Sequence, residues 1–273
     1  MIHLINFAND KFTEIQEESS RNAKRYGGID KVWECKSGDI SPDFLQENAS
    51  IFSYKRGYGL WLWKPYLINK LLNILPDNDF LVYADAGITI LKSLKPLFNI
   101  MERDNIEMMF FDLPLLEREW TKGEAYKNLK NYREDNLNQI DGSFFILKNS
   151  LQTREFINQW LVTCQKEEYL SPKRFTDMED DKLYQSHRED QALLSILVHN
   201  RELVTYRDPS DYGEFPYQYS STKWTYCPKI YNNCDYPTLI LHNRSVPAKA
   251  YKRKYLVKHI LSKVGLWPRR NDL

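Results

Sequence analysis

Phe80-Leu81-Val82-Tyr83-Ala84-Asp85-Ala86-Gly87 is a short apolar run that ends in a carboxylate and a glycine, and the fold class follows from it. A run of this length after the turn residues 76–79 is typical of a buried strand. Ligands of α/β sheets bind beyond the carboxyl ends of the strands, so Asp85 is expected to meet a ligand or a hard cation there. The alternative is that Asp85 is a turn residue that caps the next element.

Strands and helices alternate on both sides of this run. Upstream, residues 2–7 predict a first buried strand, and Lys64-Pro65 begins a helix whose apolar residues recur with helical spacing up to Leu75. Downstream, strands are predicted at 107–111, 143–147, 203–206 and 238–241, and helices at 153–167 and 190–198. This alternation predicts an α/β fold with a mostly parallel central sheet. We divide the chain into a main domain, residues 1–245, and a basic C-terminal segment, residues 246–273.

The composition of the 273 residues is that of a globular protein, with 42% apolar and 27% charged residues. The 38 basic and 37 acidic residues nearly cancel, which argues against a nucleic-acid partner. The four cysteines form no CxxC pair and predict reduced thiols rather than a zinc site. No signal peptide and no membrane-spanning run of about 18 apolar residues is recognised. We therefore expect a cytoplasmic protein.

The segment Arg56-Gly57-Tyr58-Gly59-Leu60-Trp61-Leu62-Trp63-Lys64-Pro65 leads directly into the predicted helix. Backbone N–H groups at a helix N-terminus favour an anion, and Lys64 adds a positive charge. Arg56 and Lys64 are therefore candidates for contacting a phosphate. The alternative is an ordinary helix start with Trp61 and Trp63 packed into the core.

Two further polar segments adjoin predicted elements. His187-Arg188-Glu189-Asp190-Gln191 precedes the helix over 190–198, where Asp190 would hold a ligand hydroxyl or act as a base and Gln191 would orient it. The alternative is an acidic first turn that complements the helix dipole. His242-Asn243-Arg244 follows the strand over 238–241, and His242 is either a metal or phosphate ligand or a hydrogen-bonded surface residue.

Taken in order, these segments resemble a known pattern. Gly57-x-Gly59-x-Trp61-x-Trp63-Lys64-Pro65-Tyr66, Tyr83-x-Asp85-Ala86-Gly87 and His187-Arg188-x-Asp190-Gln191 resemble GT-A glycosyltransferases of bacterial surface-polysaccharide synthesis (capsule, O-antigen or lipopolysaccharide). The resemblance covers about residues 1–245. It implies a Rossmann-like GT-A domain that transfers a sugar from a nucleotide-sugar donor, expected to be UDP-linked, to a hydroxyl of a glycan or glycolipid. Retaining and inverting chemistry both stay open.

The same resemblance implies roles for particular residues. Asp190 and Gln191 are the expected catalytic residues. The expected donor contacts are Phe7, Arg56, Trp63, Lys64, Asp85, Ala86, Gly87, His187, Arg188 and Arg244. Asp85 falls where this fold has its DxD motif, which holds Mn²⁺ or Mg²⁺ on the donor diphosphate, and His242 falls where some of these enzymes have a late histidine ligand. Gly87 stands in place of the second acid, so metal dependence stays open.

The C-terminal segment is basic and amphipathic. Its basic residues between 249 and 270 are interleaved with apolar residues and Trp267, with no acid among them. This pattern predicts a helix on an anionic membrane surface, at the inner face of the cytoplasmic membrane. The alternative is a helix packed on the domain with a solvated basic face. The aromatic-rich residues 207–237 are the candidate acceptor contact.

Two other functions compete with sugar transfer. A catalytically inactive subunit that binds carbohydrate or nucleotide sugar is favoured by the missing acid at Gly87. A nucleotidyltransferase would need a glycine-rich phosphate loop after the first strand, and the sequence Asn6-Phe7-Ala8-Asn9-Asp10 has none.

Overall fold

The computed structural model describes residues 1–9, 12–220, 223–232, 234–243 and 246–267, and strands and helices alternate along them. The strands are β1 (Ile2–Phe7), β2 (Lys31–Cys35), β3 (Phe80–Ala84), β4 (Ile88–Ile90), β5 (Met108–Leu116), β6 (Asn138–Ile140), β7 (Phe144–Lys148), β8 (Thr205–Arg207) and β9 (Ile240–His242). The helices are α1 (Thr13–Asn22), α2 (Pro42–Glu47), α3 (Ala49–Phe52), α4 (Gly57–Leu60), α5 (Trp63–Leu72), α6 (Lys95–Arg103), α7 (Gly123–Leu129), α8 (Leu151–Cys164), α9 (Glu167–Leu170), α10 (Glu189–Asn200), α11 (Asp211–Glu214) and α12 (Ala248–Lys263).

Seven strands of the described residues form one mixed sheet in the order β2–β1–β3–β7–β5–β6, with β8 also paired to β5. β1 is parallel to β2 and β3, and β8 is parallel to β5. β7 is antiparallel to both β3 and β5, and β6 is antiparallel to β5. Hence β1, β2, β3, β5 and β8 run in one direction and only β6 and β7 run against it. The mostly parallel central sheet is confirmed.

β3 lies inside the sheet and is buried on both faces, which explains its uninterrupted apolar sequence. Leu81 and Tyr83 pack in one apolar layer with residues of α5, α8 and α10. Val82 and Ala84 face the opposite layer, which includes residues of α6. Successive side chains of a strand point to opposite faces, so a single run supplies both layers.

The carboxyl end of β3 lies at one edge of the sheet, where several loops meet. Ala84 pairs with Phe144, the first residue of antiparallel β7, and the Asp85 N–H donates to the Ser143 carbonyl at 2.8 Å. The link from β6 to β7 therefore lies beside Asp85. A separate antiparallel ribbon of β4 and β9 pairs Ile88 with His242 and brings this histidine to the same edge.

The predicted elements and the structure agree closely where the apolar pattern is strong. β1 and β3 have the predicted bounds, whereas α5 ends at Leu72 and leaves Leu75 beyond it. β5 continues to Leu116, five residues beyond the predicted end of this strand at residue 111. β2 was missed because this edge strand is half-exposed and has no apolar run.

The C-terminal helix α12 packs against the main domain. Tyr255 lies in a small cluster with Phe215 and Leu241, and its hydroxyl donates to Glu214 at 2.8 Å. The Tyr251 hydroxyl donates to Asp211 at 2.9 Å. No helix among the described residues is long and apolar enough to cross a bilayer.

Candidate functional site

A cavity of about 950 Å³ lies beyond the carboxyl ends of β1 and β3. The residues predicted from the sequence that line it are Phe7, Trp63, Asp85, Ala86, Gly87, Arg188, Gln191 and His242. Arg244 lies outside the described residues. One wall includes the stacked rings of Phe7 and Trp63, whose centroids are 3.9 Å apart. Tyr212, Tyr219 and Trp224, from the aromatic-rich segment 207–237, also line the cavity.

Asp85 lies at the floor of this cavity, with its side chain 40% exposed. The Tyr83 hydroxyl donates to Oδ1 of Asp85, and Lys64 Nζ is 3.9 Å from the same oxygen. One carboxylate oxygen is therefore held from below. Its partial exposure leaves the carboxylate accessible to a ligand in the cavity.

Lys64 lies beneath the cavity and does not line it. Its Nζ is 2.8 Å from Asp190 Oδ2 and donates to the Gly142 carbonyl at 2.9 Å, and the residue is only 3% exposed. Burial disfavours the ammonium, but Asp190 and Asp85 outweigh it and raise the pKa of Lys64. The sequence predicted a phosphate contact, whereas the first turn of α5 directs this ammonium into a buried ion pair.

Asp190 lies in the first turn of α10 and is 4% exposed. Burial raises the pKa of its carboxyl to about 6, against the opposing effect of Lys64. The group is therefore largely ionised at neutral pH and titrates much closer to neutrality than an exposed aspartate. Gln191 follows it and lines the cavity, packed so tightly on Gly142 that a Cβ there would lie 3.0 Å from the Gln191 Cβ.

Arg56 forms an ion pair with Glu189, also in the first turn of α10. Its Nε donates to Glu189 Oε1 at 2.6 Å, and the guanidinium lies 5.4 Å from the Trp61 ring centroid. The expected phosphate contact is thus replaced by a bridge between two segments that flank the cavity. Arg56 itself does not line the cavity, although its neighbour Lys55 does.

The segment that follows Arg56 has an unusual backbone. Five successive residues, Gly57 to Trp61, have φ between 52° and 80°. Trp63 Nε1 donates to the Gly57 carbonyl at 2.8 Å, which holds the segment closed. Left-handed residues other than glycine cost energy and persist only where surrounding contacts fix them. The turn presents Tyr58 and Trp61 to the cavity.

His187 and Arg188 differ in position although they are neighbours. His187 is buried, with Nε2 2.8 Å from the Tyr169 carbonyl and Nδ1 3.3 Å from the Lys122 N–H. Burial lowers the pKa of His187 to about 3, so the ring is neutral at physiological pH. His187 therefore links two loops and does not face the donor as expected. Arg188 lines the cavity and lies 4.4 Å from the Trp120 ring centroid.

His242 is accompanied by two carboxylates that sequence analysis missed. Its Nε2 is 3.7 Å from Asp141 Oδ2 and 4.0 Å from Asp208 Oδ1. Burial raises the pKa of the Asp208 carboxyl to about 6. Burial disfavours the imidazolium of His242, but Asp141 and Asp208 outweigh this effect and raise the pKa of His242. Asp141 follows β6 and Asp208 follows β8. A carboxylate directly after a strand is the signal that identified Asp85, so it could have found both.

Comparison with known proteins shows similarity in structure but none in sequence. No protein-family model and no curated protein matches the chain. An active-site mutant of LgtC aligns at 14% identity with a TM-score of 0.52, over 93% of this chain and 94% of that chain. The galactosyltransferase LgtC in complex with donor and acceptor sugar analogues aligns over the same shares at 14% identity and a TM-score of 0.50. Mouse xyloside xylosyltransferase 1 aligns at 12% identity, over 90% of this chain and 99% of that chain, with a TM-score of 0.48.

Identity this low shows the fold alone. Together with the mixed sheet and its predominant strand direction, the alignment shows that the chain has the α/β fold of GT-A glycosyltransferases.

Proposed function

We propose that this protein is a glycosyltransferase that moves a sugar from a nucleotide-sugar donor, UDP-linked by preference, to a hydroxyl of a glycan or lipid-linked glycan. The observation that supports this most is Asp85 at the floor of a large cavity at the carboxyl ends of the strands, with the ion pair of Lys64 and Asp190 buried directly beneath it. That edge is where α/β sheets bind nucleotides. The GT-A fold makes sugar transfer the natural chemistry for it.

The donor nucleotide is proposed to lie along the end of β1 and the residues after β3. Phe7 and Trp63 supply an aromatic surface there, and Ala86 and Gly87 allow close approach of the diphosphate. As the glycosidic bond breaks, negative charge grows on the leaving diphosphate, which Arg188 is placed to stabilise. A divalent cation beside His242 would add to this stabilisation when bound.

Asp190 and Gln191 are proposed to face the transferred sugar. The Asp190 carboxylate is ionised at neutral pH and lies just below the cavity, where it would accept the acceptor proton in an inverting reaction or steady a cationic sugar in a retaining one. Lys64 fixes one carboxylate oxygen at 2.8 Å and so orients the group. Gln191, which lines the cavity, would hold a sugar hydroxyl.

The acceptor is proposed to bind against the aromatic wall of Tyr212, Tyr219 and Trp224. Flat aromatic rings suit the apolar faces of sugars. The exposed face of α12 is proposed to bring the enzyme to an anionic membrane surface, on the cytoplasmic side, where lipid-linked acceptors of surface polysaccharides are extended. Exposed basic residues on this helix support the assignment: Lys249, Lys252, Arg253, Lys254 and Lys263.

A catalytically inactive binding subunit is the second candidate, because Gly87 stands where a second acid is expected. A measurement of sugar transfer distinguishes the two candidate functions. A binding subunit would take up nucleotide sugars without transferring them under any metal condition.

The test is a thermal-shift screen of the purified chain against UDP, GDP and their sugars, with and without Mn²⁺, followed by a transfer assay on the hits. A ligand that binds only the folded state at 100 times its Kd stabilises it by about 2.7 kcal/mol, which is a measurable rise in melting temperature. We expect such a rise with UDP or a UDP-sugar. If none of these nucleotides shifts the melting temperature, the donor site proposed here does not exist.

A further inference from the structure

Asp141, Asp208 and His242 form a compact cluster at the cavity wall. Their ligand atoms all lie within 4.8 Å of one another, and Asp141 and His242 line the cavity directly. They come from three separate elements: the link between β6 and β7, the end of β8, and the end of β9. Such convergence on one point is not produced by local sequence and needs a reason.

One carboxylate oxygen in this cluster has no hydrogen-bond partner among the described residues. Asp141 is 4% exposed, and its Oδ2 makes no hydrogen bond although it lies 3.7 Å from His242 Nε2. Buried polar atoms are almost always paired, and each exception calls for an explanation such as an absent ion. The distance to His242 is too long for a hydrogen bond but leaves room for an atom between the two.

The other atoms of the cluster are held in place by hydroxyl groups. Ser143 donates its N–H at 2.9 Å and its hydroxyl at 2.7 Å to Asp141 Oδ1, which leaves Oδ2 directed at the histidine. Ser210 holds both oxygens of Asp208: its N–H donates to Oδ1 and its hydroxyl donates to Oδ2, each at 2.8 Å. Outer hydrogen bonds of this kind commonly orient metal ligands.

The charge of the cluster is also unbalanced. Two carboxylates, each no more than 4% exposed, face one imidazole. Buried like charges are costly without a compensating cation. Two carboxylate oxygens and one imidazole nitrogen are a donor set that suits Mn²⁺ and also accepts Mg²⁺ or Zn²⁺.

We propose that Asp141, Asp208 and His242 hold a divalent cation, and that these two carboxylates replace the acid missing at Gly87. Asp85 is then a neighbour of the ion rather than a ligand on which its binding depends, because it does not belong to the group of three whose ligand atoms lie within 4.8 Å of one another. This differs from the sequence prediction, which paired Asp85 with His242. The role of the ion on a diphosphate rests on the proposed function, but its binding does not.

The experiment measures Mn²⁺ binding to the full chain without nucleotide or sugar. Bound metal is first removed with EDTA. Mn²⁺ binding is then measured by calorimetry and by the loss of the signal of free Mn²⁺ in electron paramagnetic resonance spectra. We expect one ion per chain for the wild type. Asp208→Asn and Asp141→Asn should each weaken binding at least about tenfold, since even outer-shell changes cost that much. Asp85→Asn should bind Mn²⁺ within about threefold of the wild type.

Ser143→Ala and Ser210→Ala provide milder variants in case the asparagine substitutions unfold the chain, which circular dichroism detects. Each should weaken Mn²⁺ binding while the fold is retained. The proposal is overturned if the folded wild type binds none of Mn²⁺, Mg²⁺ and Zn²⁺, or if Asp85→Asn abolishes binding while Asp141→Asn and Asp208→Asn keep it. Metal binding without any nucleotide binding would uphold this site and reject the proposed transferase instead.

Discussion

The buried pair of Lys64 and Asp190 makes each of these residues dependent on the other. Removing one partner leaves an uncompensated charge in the interior, which typically costs 3–5 kcal/mol. We predict that Lys64→Ala lowers the free energy of unfolding by about 3 kcal/mol or more, measured by urea denaturation. Lys70→Ala, on the exposed side of the same helix, should change it by less than about 0.5 kcal/mol. Equal urea midpoints for the two variants would contradict the ion pair.

Replacing Asp190 tests its chemical role, with folding of the variant checked by circular dichroism because Lys64 loses its buried counter-charge. Asp190→Asn keeps the shape but removes the carboxylate, so we predict a fall in transfer rate of about 10²- to 10⁴-fold. The nucleotide Kd, measured by calorimetry, should stay nearly unchanged because the donor diphosphate is held elsewhere. Asp77→Asn, an exposed carboxylate paired with Arg154, is the matched control and should keep full activity. Loss of nucleotide binding with Asp190→Asn would instead make this residue a donor ligand.

The pH dependence of transfer follows from the same carboxyl. Burial raises the pKa of Asp190 to about 6, so the carboxylate is the main form above pH 6 and is progressively protonated below it. If the carboxylate is the active form, kcat/KM falls as pH decreases through about 6. An exposed aspartate would keep kcat/KM constant down to about pH 4. A profile that stays flat between pH 7 and 5 would exclude Asp190 as the titrating group.

At the scale of elements, the left-handed turn α4 depends on its glycines. A Cβ on Gly59, at φ 80°, would lie 2.5 Å from a Phe52 ring atom, and a Cβ on Gly57 would lie 2.4 Å from the Trp61 ring. Strain of this kind costs about 1–3 kcal/mol before the clash is counted. We therefore predict that Gly59→Ala lowers the melting temperature clearly. Gly38→Ala is the control, because nothing lies within 4 Å of its Cβ and its φ is not positive.

Elements buried on both faces were predictable, and elements fixed by tertiary contacts were not. β3 has an unbroken apolar sequence and β1 is apolar at four of its six positions, and the bounds of both were predicted to the residue. The turn from Gly57 to Trp61 could not be foreseen, because three residues other than glycine adopt a left-handed backbone there. The turn is closed by the Trp63 side chain on the Gly57 carbonyl and flanked by the ion pair of Arg56 with Glu189, and these side-chain contacts form only in the folded chain.

At the scale of the whole molecule, the sequence located the cavity but not all of its functional groups. Asp85, Gln191 and His242 were selected as residues beside strand or helix ends, and all three line one cavity. Lys64 was expected to face it, yet it lies beneath. A charged residue at a helix start can point outward or pair with a buried acid, and the outcome depends on the neighbouring elements. For Lys64, α10 supplies the acid, Asp190.

The C-terminal helix connects the cavity wall to the outer surface of the molecule. On its inner side, Tyr251 and Tyr255 hold α11, which presents Tyr212 to the cavity. On its outer side, one stripe with spacings of three or four residues begins with Lys249 and Arg253. It continues with the exposed apolar residues Leu256, Ile260 and Val264. Deleting the helix would disturb the wall, so substitution of the stripe is the cleaner test.

We predict that the triple variant Leu256→Ser, Ile260→Ser and Val264→Ser weakens binding to vesicles containing phosphatidylglycerol, measured by co-sedimentation. The pair Lys249→Glu and Arg253→Glu should weaken it as well, since each basic residue near an anionic surface contributes about 1 kcal/mol. Only the charge effect should fade as salt is raised, because screening acts on charges and not on apolar burial. Nucleotide-induced thermal shifts should be unaffected, since the stripe lies on the side of α12 that faces away from the cavity. Equal sedimentation of all three proteins, or equal binding to phosphatidylcholine alone, would show that this stripe is an ordinary solvated face.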